Sequence, residues 1–233
     1  MIKNNRRQVV IIGISSGIAA YKMVDLIKLL RNEGLGIYVI MTEHAAAMID
    51  PKEFERASGH KVYINLFPRG FDYKEVLKAR KVEHIQLAGS ASLFVIAPAT
   101  ANIIGKIAGG LADDFLTTTL LATTAPVLIC PSMNPHMWGN PLVQDNIRKL
   151  RQLGYHILTP ATGRLACGYK GIGRLPDVKI IAAEIMQMLG QKNKLKGKRK
   201  LKKRDRSQVF FLKIVGSQLV YTKLVKDTAF FFP

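Results

Sequence analysis

Cysteine is almost missing from this sequence: Cys130 and Cys167 are the only two in 233 residues. Two thiols cannot build a disulfide framework or a four-thiolate metal site, so no metal is expected and Cys167 is read as a free thiol. No run of about eighteen apolar residues occurs, and Met1–Arg7 leads straight into a strand-like segment, with neither the apolar stretch nor the small-residue cleavage site of a signal peptide. A cytoplasmic protein that does not cross a membrane is expected. Carboxylates are scarce too, with 16 Asp and Glu against 35 Lys and Arg, a net charge of +19.

That imbalance has the sign of a nucleic-acid footprint, but its distribution argues otherwise. Residues 191–233 hold 13 of the Lys and Arg and two of the acids, which is +11 and leaves +8 for residues 1–190. From Lys192 to Arg206, ten basic side chains face the single acid Asp205, a density at which they repel one another and cannot enclose a core. No aromatic interleaving or binding motif accompanies them, so the run reads as a solvated linker in preference to an arm for nucleic acid or a membrane surface. With 48% apolar residues the chain can bury one substantial core but not two ordinary domains. The expected organisation is a domain over 1–190 and, over 191–233, a basic linker with a disordered or aberrant tail. The Val, Phe and Leu stretches at 209–225 have no partner strands in the sequence, and the chain closes on Phe230-Phe231-Phe232-Pro233.

Within 1–190, Gln8–Ile14 is a Val- and Ile-rich run, followed by Gly13-Ile14-Ser15-Ser16-Gly17 and then by Ile18, Tyr21, Met23, Leu26, Ile27, Leu29 and Leu30 at helical spacing. Gly34 ends that helix, and Leu35–Met41 supplies a second strand. Ser92–Ala97 and Ala125–Cys130 are continuous apolar runs of the kind buried on both faces of a parallel sheet. Helical segments at Ala101–Ala108, Asp113–Ala122 and Pro141–Leu153 separate them, a short strand follows at His156–Thr159, and Asp177–Leu189 is the last helix. The alternation predicts an α/β fold: a doubly wound, mainly parallel sheet with helices on both faces, a Rossmann- or flavodoxin-like three-layer architecture.

Three loops beyond strand ends carry candidate chemistry. In Gly13–Gly17, small residues let the backbone approach a ligand and the following helix aims amides and its positive end at a phosphate. Taken alone the segment reads equally as a tight βα turn. It is not G-x-G-x-x-G, and Ser15 and Ser16 suit a mononucleotide phosphate better than a pyrophosphate. Thr42 stands at the carboxyl end of the second strand, where open α/β sheets contact ligands. In Pro98-Ala99-Thr100-Ala101-Asn102 a helix begins, and capping alone would explain one of Thr100 and Asn102. In Pro131-Ser132-Met133-Asn134-Pro135-His136-Met137-Trp138 an amide is wedged among apolar residues, and a buried amide needs partners; a ligand carboxylate or amide is a reasonable guest. Cys130, inside an apolar strand, reads as packing.

Pro98–Ile103 and Pro131–Trp138 resemble the two signature loops of the homo-oligomeric flavin-containing cysteine decarboxylases. Three further segments fit in order: Gly13–Lys22, Val82-Glu83-His84-Ile85-Gln86-Leu87, and Leu165-Ala166-Cys167-Gly168-Tyr169-Lys170-Gly171-Ile172-Gly173-Arg174. The resemblance spans about residues 8–190. It implies FMN as cofactor, held by Ser15, Ser16, Gly17, Thr42, Thr100, Ala101, Asn102 and Ser132. It implies a small-molecule substrate, a cysteine-derived carboxylate such as 4'-phosphopantothenoylcysteine, decarboxylated on the way to coenzyme A. In that family the flavin oxidises the cysteinyl thiol to a thioaldehyde, CO2 leaves as an enethiolate forms, and reduced flavin and a proton donor return the thiol.

The residue roles implied are His84 as the active-site histidine that moves protons, Asn134 with Met137 at the substrate, and Cys167 as the acid that protonates the enethiolate. Gly168, Gly171 and Gly173 form a flexible stretch that could close as a lid. Tyr169 and Lys170 depart from the pattern, since many relatives carry an acid soon after Cys-Gly. A homotrimer, in some forms a dodecamer, is implied, with no membrane or nucleic-acid partner. Many bacterial relatives continue into a ligase domain after such a Lys-rich linker; none follows here, so no ligase activity is expected and the tail is read as a truncated or out-of-frame remnant. A flavin prenyltransferase and a non-catalytic FMN-binding subunit are the alternatives; the Asn134 loop and the Cys167 segment, which belong to the decarboxylase pattern, disfavour the first, and retention of His84, Asn134 and Cys167 disfavours the second.

Overall fold

The computed structural model describes residues 7–67, 70–79, 82–166, 168–190, 210–215 and 218–223. Six strands form one sheet: β1 (Val9–Ile14), β2 (Gly36–Met41), β3 (Val62–Tyr63), β4 (Leu93–Ala99), β5 (Val127–Pro131) and β6 (His156–Ile157). Their order is β3-β2-β1-β4-β5-β6 and every pairing is parallel. The helices are α1 (Met23–Asn32), α2 (Glu43–Met48), α3 (Pro51–Ser58), α4 (Tyr73–Ala79), α5 (Glu83–Ser90), α6 (Ala101–Gly109), α7 (Phe115–Ala122), α8 (Pro135–Gly139), α9 (Pro141–Gln152) and α10 (Val178–Met188). Among the described residues no helix is long and apolar enough to cross a membrane.

The unbroken apolar runs are strands because both faces are covered. Side chains alternate across a strand, so β1 sends Val10, Ile12 and Ile14 into one core with α1, α3 and α10, and Ile11 into another with α6, α7 and α9. All four are fully buried. Order 3-2-1-4-5-6 reverses direction between β1 and β4, and the carboxyl ends of those two strands diverge into a crevice, the place where doubly wound sheets bind ligands. Gly13 keeps α7 close to that crevice: a Cβ there would meet Leu116 Cδ1 at 2.4 Å and Ile96 Cδ1 at 2.9 Å. Pro98, unusual inside a sheet, sits where the β4–β5 register shifts between Ile96 and Ala99, an irregularity that spares the missing N–H.

Three expectations need correction. The helix expected straight after Gly17 is a 3-10 turn, Ile18–Lys22, and α1 begins only at Met23. Gly17 offers no side-chain cap, and the α-helix starts where Met23, Leu26, Ile27 and Leu30 can all face the core. The last strand covers His156–Ile157, not four residues. In the tail, β9 (Phe210–Val215) and β10 (Gln218–Lys223) are each other's partners in an antiparallel pair, so the stretches read as partnerless do pair. Residues 191–209 and 224–233 lie outside the described residues, and Lys196–Pro233 is a unit separate from Met1–Leu195.

Gly13→Ala should destabilise the domain by about 1–3 kcal/mol through overpacking. In urea unfolding, its cost should shrink in a Leu116→Ala background, because the methyl it would strike is gone.

Candidate active site

The crevice is held shut at its floor by Ser15. Its hydroxyl donates to the Pro98 carbonyl at 2.8 Å and accepts from the Thr100 N–H at 3.1 Å, while the Ser15 N–H reaches the same carbonyl at 3.4 Å. Ser15 is 2% exposed, so its single hydroxyl proton is committed to joining β1 to the end of β4. Gly17 then passes close over Pro98: a Cβ there would lie 3.2 Å from Pro98 Cγ. Ser16, between them, is exposed at the mouth.

The caps separate structural from available groups. Thr100 is the N-cap of α6, its Oγ1 accepting from the Ile103 N–H at 3.4 Å. Asn102 is one residue inside the helix and has no capping duty. Thr42 caps α2, accepting from the Ala45 N–H at 3.2 Å. The Ser132 N–H donates to Ala99 O at 2.9 Å, extending the β4–β5 ladder and leaving its hydroxyl half-exposed. Asn134 is half-buried and caps α8 through Oδ1, which accepts from the His136 N–H at 2.8 Å. The apolar residues around it are explained by burial, since Met133 and Trp138 pack into the core with α6 and α9. The sequence thus misread this segment as a loop: it is a strand end followed by a short helix.

Two cavities flank the Ser16–Thr100 ridge. The first, about 610 Å³, is lined by Ser16, Gly17, Thr100, Ala101, Ser132, Asn134 and Met137 together with Lys22, Arg164 and Arg174. The second, about 570 Å³, is lined by Ser15, Ser16, Thr42, Thr100 and Asn102 with His44, Lys106, Asp113 and Asp114. All eight residues read as cofactor contacts therefore border one cavity or both. Lys106 bridges Asp113 at 2.8 Å and Asp114 at 3.1 Å; those bonds raise the lysine's pKa and lower that of Asp113. Among the described residues, no hydrogen bond within the chain occupies the side chains of Ser16, Asn102 or Ser132, leaving donors and acceptors directed at these spaces.

A two-stranded ribbon, β7 (Ala161–Arg164) and β8 (Lys170–Arg174), forms one wall. Its glycines are read differently from the sequence. Gly173 has φ +141°, its carbonyl accepts from the Met133 N–H at 2.9 Å, and a Cβ on it would sit 2.2 Å from Met133 O. Gly171 similarly presses on Pro135, whose Cγ would be 2.9 Å from an added Cβ. These two serve close docking of the ribbon onto the Asn134 segment and not looseness. Tyr169 adds an edge-on ring contact to His136, centroids 5.3 Å apart.

His84 is the residue one copy of the chain does not bring to the cavities. It lies on α5 with its ring edge-on to Phe115, centroids 6.2 Å apart, and Phe115 borders the second cavity. Cys167 lies outside the described residues; Leu165 and Ala166, just before it, line the first cavity. Cys130 is fully buried, and desolvation, helped by the charge of Glu184, drives its thiol pKa far up. Residue patterning alone assigns no role to Lys22, Arg164 or Arg174. Their charge pattern becomes visible only once three distant segments line one cavity.

A parallel, doubly wound sheet with hydroxyls, amides and a docked ribbon around its switch-point crevice is the architecture of a nucleotide-type cofactor protein. Residues 2–190 match the Flavoprotein family model, and the chain belongs to that family. It is 48% identical over 174 residues to the coenzyme A biosynthesis bifunctional protein CoaBC of Bacillus subtilis, covering 75% of this chain and 41% of the relative. With CoaBC of Borreliella burgdorferi the identity is 40% over 190 residues, 82% of this chain and 47% of the relative. The chain thus spans less than half the length of these curated relatives. Among solved structures, a cysteine-to-serine variant of a PPC decarboxylase in complex with pantothenoylaminoethenethiol superposes with TM-score 0.67 at 28% identity, over 80% of this chain and all of that one. The FMN-dependent cysteine decarboxylase SpaF gives 0.64 at 30% identity, over 78% and 97%.

Gly173→Ala should speed hydrogen exchange at the Met133 amide about ten-fold or more while leaving the Val95 amide on β4 unchanged, because a methyl at that φ displaces only the ribbon.

Proposed function

We propose that this domain is an FMN-dependent decarboxylase of 4'-phosphopantothenoylcysteine, forming 4'-phosphopantetheine for coenzyme A synthesis. The observation that carries the reading is the shared cavity: the cofactor-type residues Ser16, Gly17, Thr100, Ala101 and Ser132 and the substrate-type residues Asn134 and Met137 border one space. The relatives' names, coenzyme A biosynthesis and PPC decarboxylase, agree with it.

The residues fit a flavin mononucleotide. Gly17 lets the backbone at the cavity edge lie on Pro98, where a Cβ would crowd at 3.2 Å, and Ser16, Asn102 and Ser132 offer the unoccupied polar groups that line the two adjoining cavities. Thr42, Thr100 and Ala101 complete the holding set, with Ser15 acting through its grip on Pro98 and Thr100. When bound, the flavin supplies two-electron oxidation of the substrate's cysteinyl thiol and its later reversal, which gives decarboxylation an electron sink.

The protein's own share is orientation and proton movement. Asn134, fixed by its α8 cap, holds the substrate carboxylate beside Met137. Cys167 protonates the sulfur-bearing product fragment, and His84 moves a proton at the reacting thiol. Because His84 borders neither cavity of its own chain, it serves a neighbouring copy, and a homotrimer is the assembly proposed. Supporting this, Ile85 and Leu121 on the packed pair α5 and α7 are 52% and 50% exposed, an apolar face beside His84.

Purified full-length protein should be yellow with a flavin spectrum and release CO2 from 4'-phosphopantothenoylcysteine. His84→Asn should lose turnover by about 100-fold or more while keeping its FMN. A colourless protein, or one whose flavin is retained but whose His84→Asn variant turns over normally, would refute the assignment.

A further inference from the structure

We propose that Lys22, Arg164 and Arg174 form a phosphate-recognition subsite in the first cavity that takes the phosphoryl group of the substrate; this rests on the decarboxylase reading above. The lining of that cavity includes these three cations and no carboxylate. Among the described residues the ion pairs engage Lys61, Lys106, Arg148 and His156, and none engages Lys22, Arg164 or Arg174. Three like charges bordering one space repel; Lys22 lies over the Tyr21 ring, 5.9 Å from its centroid, but no carboxylate among the described residues pairs with any of the three, and a dianion would.

The three come from separate segments that the fold gathers. Lys22 ends the 3-10 turn after Gly17, Arg164 ends β7 and Arg174 ends β8. Along the ribbon, Arg164 pairs with Lys170, Gly163 with Gly171 and Thr162 with Ile172, but Ala161 pairs with Arg174. The extra residue is Gly173, and such a bulge re-aims the side chain that follows it. Arg174 then lies across Gly163, its Nη1 3.3 Å from where a Cβ would stand, so the absence of a side chain there leaves room for the guanidinium. A guanidinium can grip phosphate oxygens with two parallel N–H donors and an ammonium binds them as a point charge, so this set of side chains suits a phosphate. The substrate's carboxylate is a monoanion assigned to the neutral amide of Asn134, so the dianion is left for the cations. Ile18, Leu165 and Leu175 line the same space and suit an uncharged arm between the two ends.

A phosphate at this place could instead be the flavin's own, and the experiment separates the two sources. Full-length wild type, Arg164→Gln, Arg174→Gln and Lys22→Gln are assayed on 4'-phosphopantothenoylcysteine and on pantothenoylcysteine, with bound FMN and thermal midpoint measured on each. The expected result is that each arginine variant loses about ten-fold or more of the preference for the phosphorylated substrate, mainly through KM, with FMN content unchanged. Arg174→Lys, which keeps charge without the fork, should fall between. Loss of FMN would assign the cations to the cofactor's phosphate and overturn the proposal. An equal loss on both substrates, or an unchanged preference, would overturn it too.

Should wild type turn over neither substrate, the decarboxylase reading fails by itself. The subsite is then judged by calorimetric titration with 4'-phosphopantetheine and pantetheine. Tighter binding of the phosphorylated compound, abolished in Arg174→Gln, sustains the subsite, and equal binding removes it.

Discussion

One buried hydroxyl governs the geometry of this site. Ser15 ties the end of β1 to the Pro98 carbonyl and the Thr100 amide, across the one place in the sheet where neighbouring strands lead their chains away in opposite directions. A crevice at such a place exists because nothing in the ladder closes it, so its width must be set by side chains. Serine suffices, since it is small enough to be buried and carries one donor and two acceptor positions. Everything that follows, the close pass of Gly17 over Pro98 and the start of α6 at Thr100, inherits its position from that join.

The opposite wall is positioned by missing atoms. Gly171 and Gly173 let β8 lie against Pro135 and Met133 at distances no side chain allows, and the backbone bond from Met133 to Gly173 fixes the register. The same bulge that permits this approach turns Arg174 toward the cavity. A glycine-rich stretch is therefore a docking device here, with its positive φ stabilised by a hydrogen bond and not by freedom of motion.

Much of this was legible in the residues alone. The buried strands β1, β2, β4 and β5 announce themselves as Val- and Ile-rich runs, and α6, α9 and α10 by helical spacing, because one physical pattern determines each. The short elements α2, α3 and α8 were not, since five to eight residues are too few for periodicity to stand out and their caps are single Thr, Asp or Asn side chains. The β7–β8 ribbon was hidden for another reason: its glycines read as flexible until their neighbours are known. For the site, strand-end loops pointed to Ser16, Thr42, Thr100 and Asn134, all of which border the cavities. Lys22, Arg164 and Arg174 did not stand out because each is an ordinary surface cation in its own segment. His84 was found by resemblance only, and its own chain does not bring it to the cavity lining.

The burial of Cys130 has an experimental corollary. With its sulfur enclosed on the β5 strand and its proton held far more tightly than usual, it cannot meet an electrophile while the sheet is intact. Thiol-selective alkylation of the folded chain therefore leaves Cys130 unmodified, and labelling at that position reports the opening of the sheet.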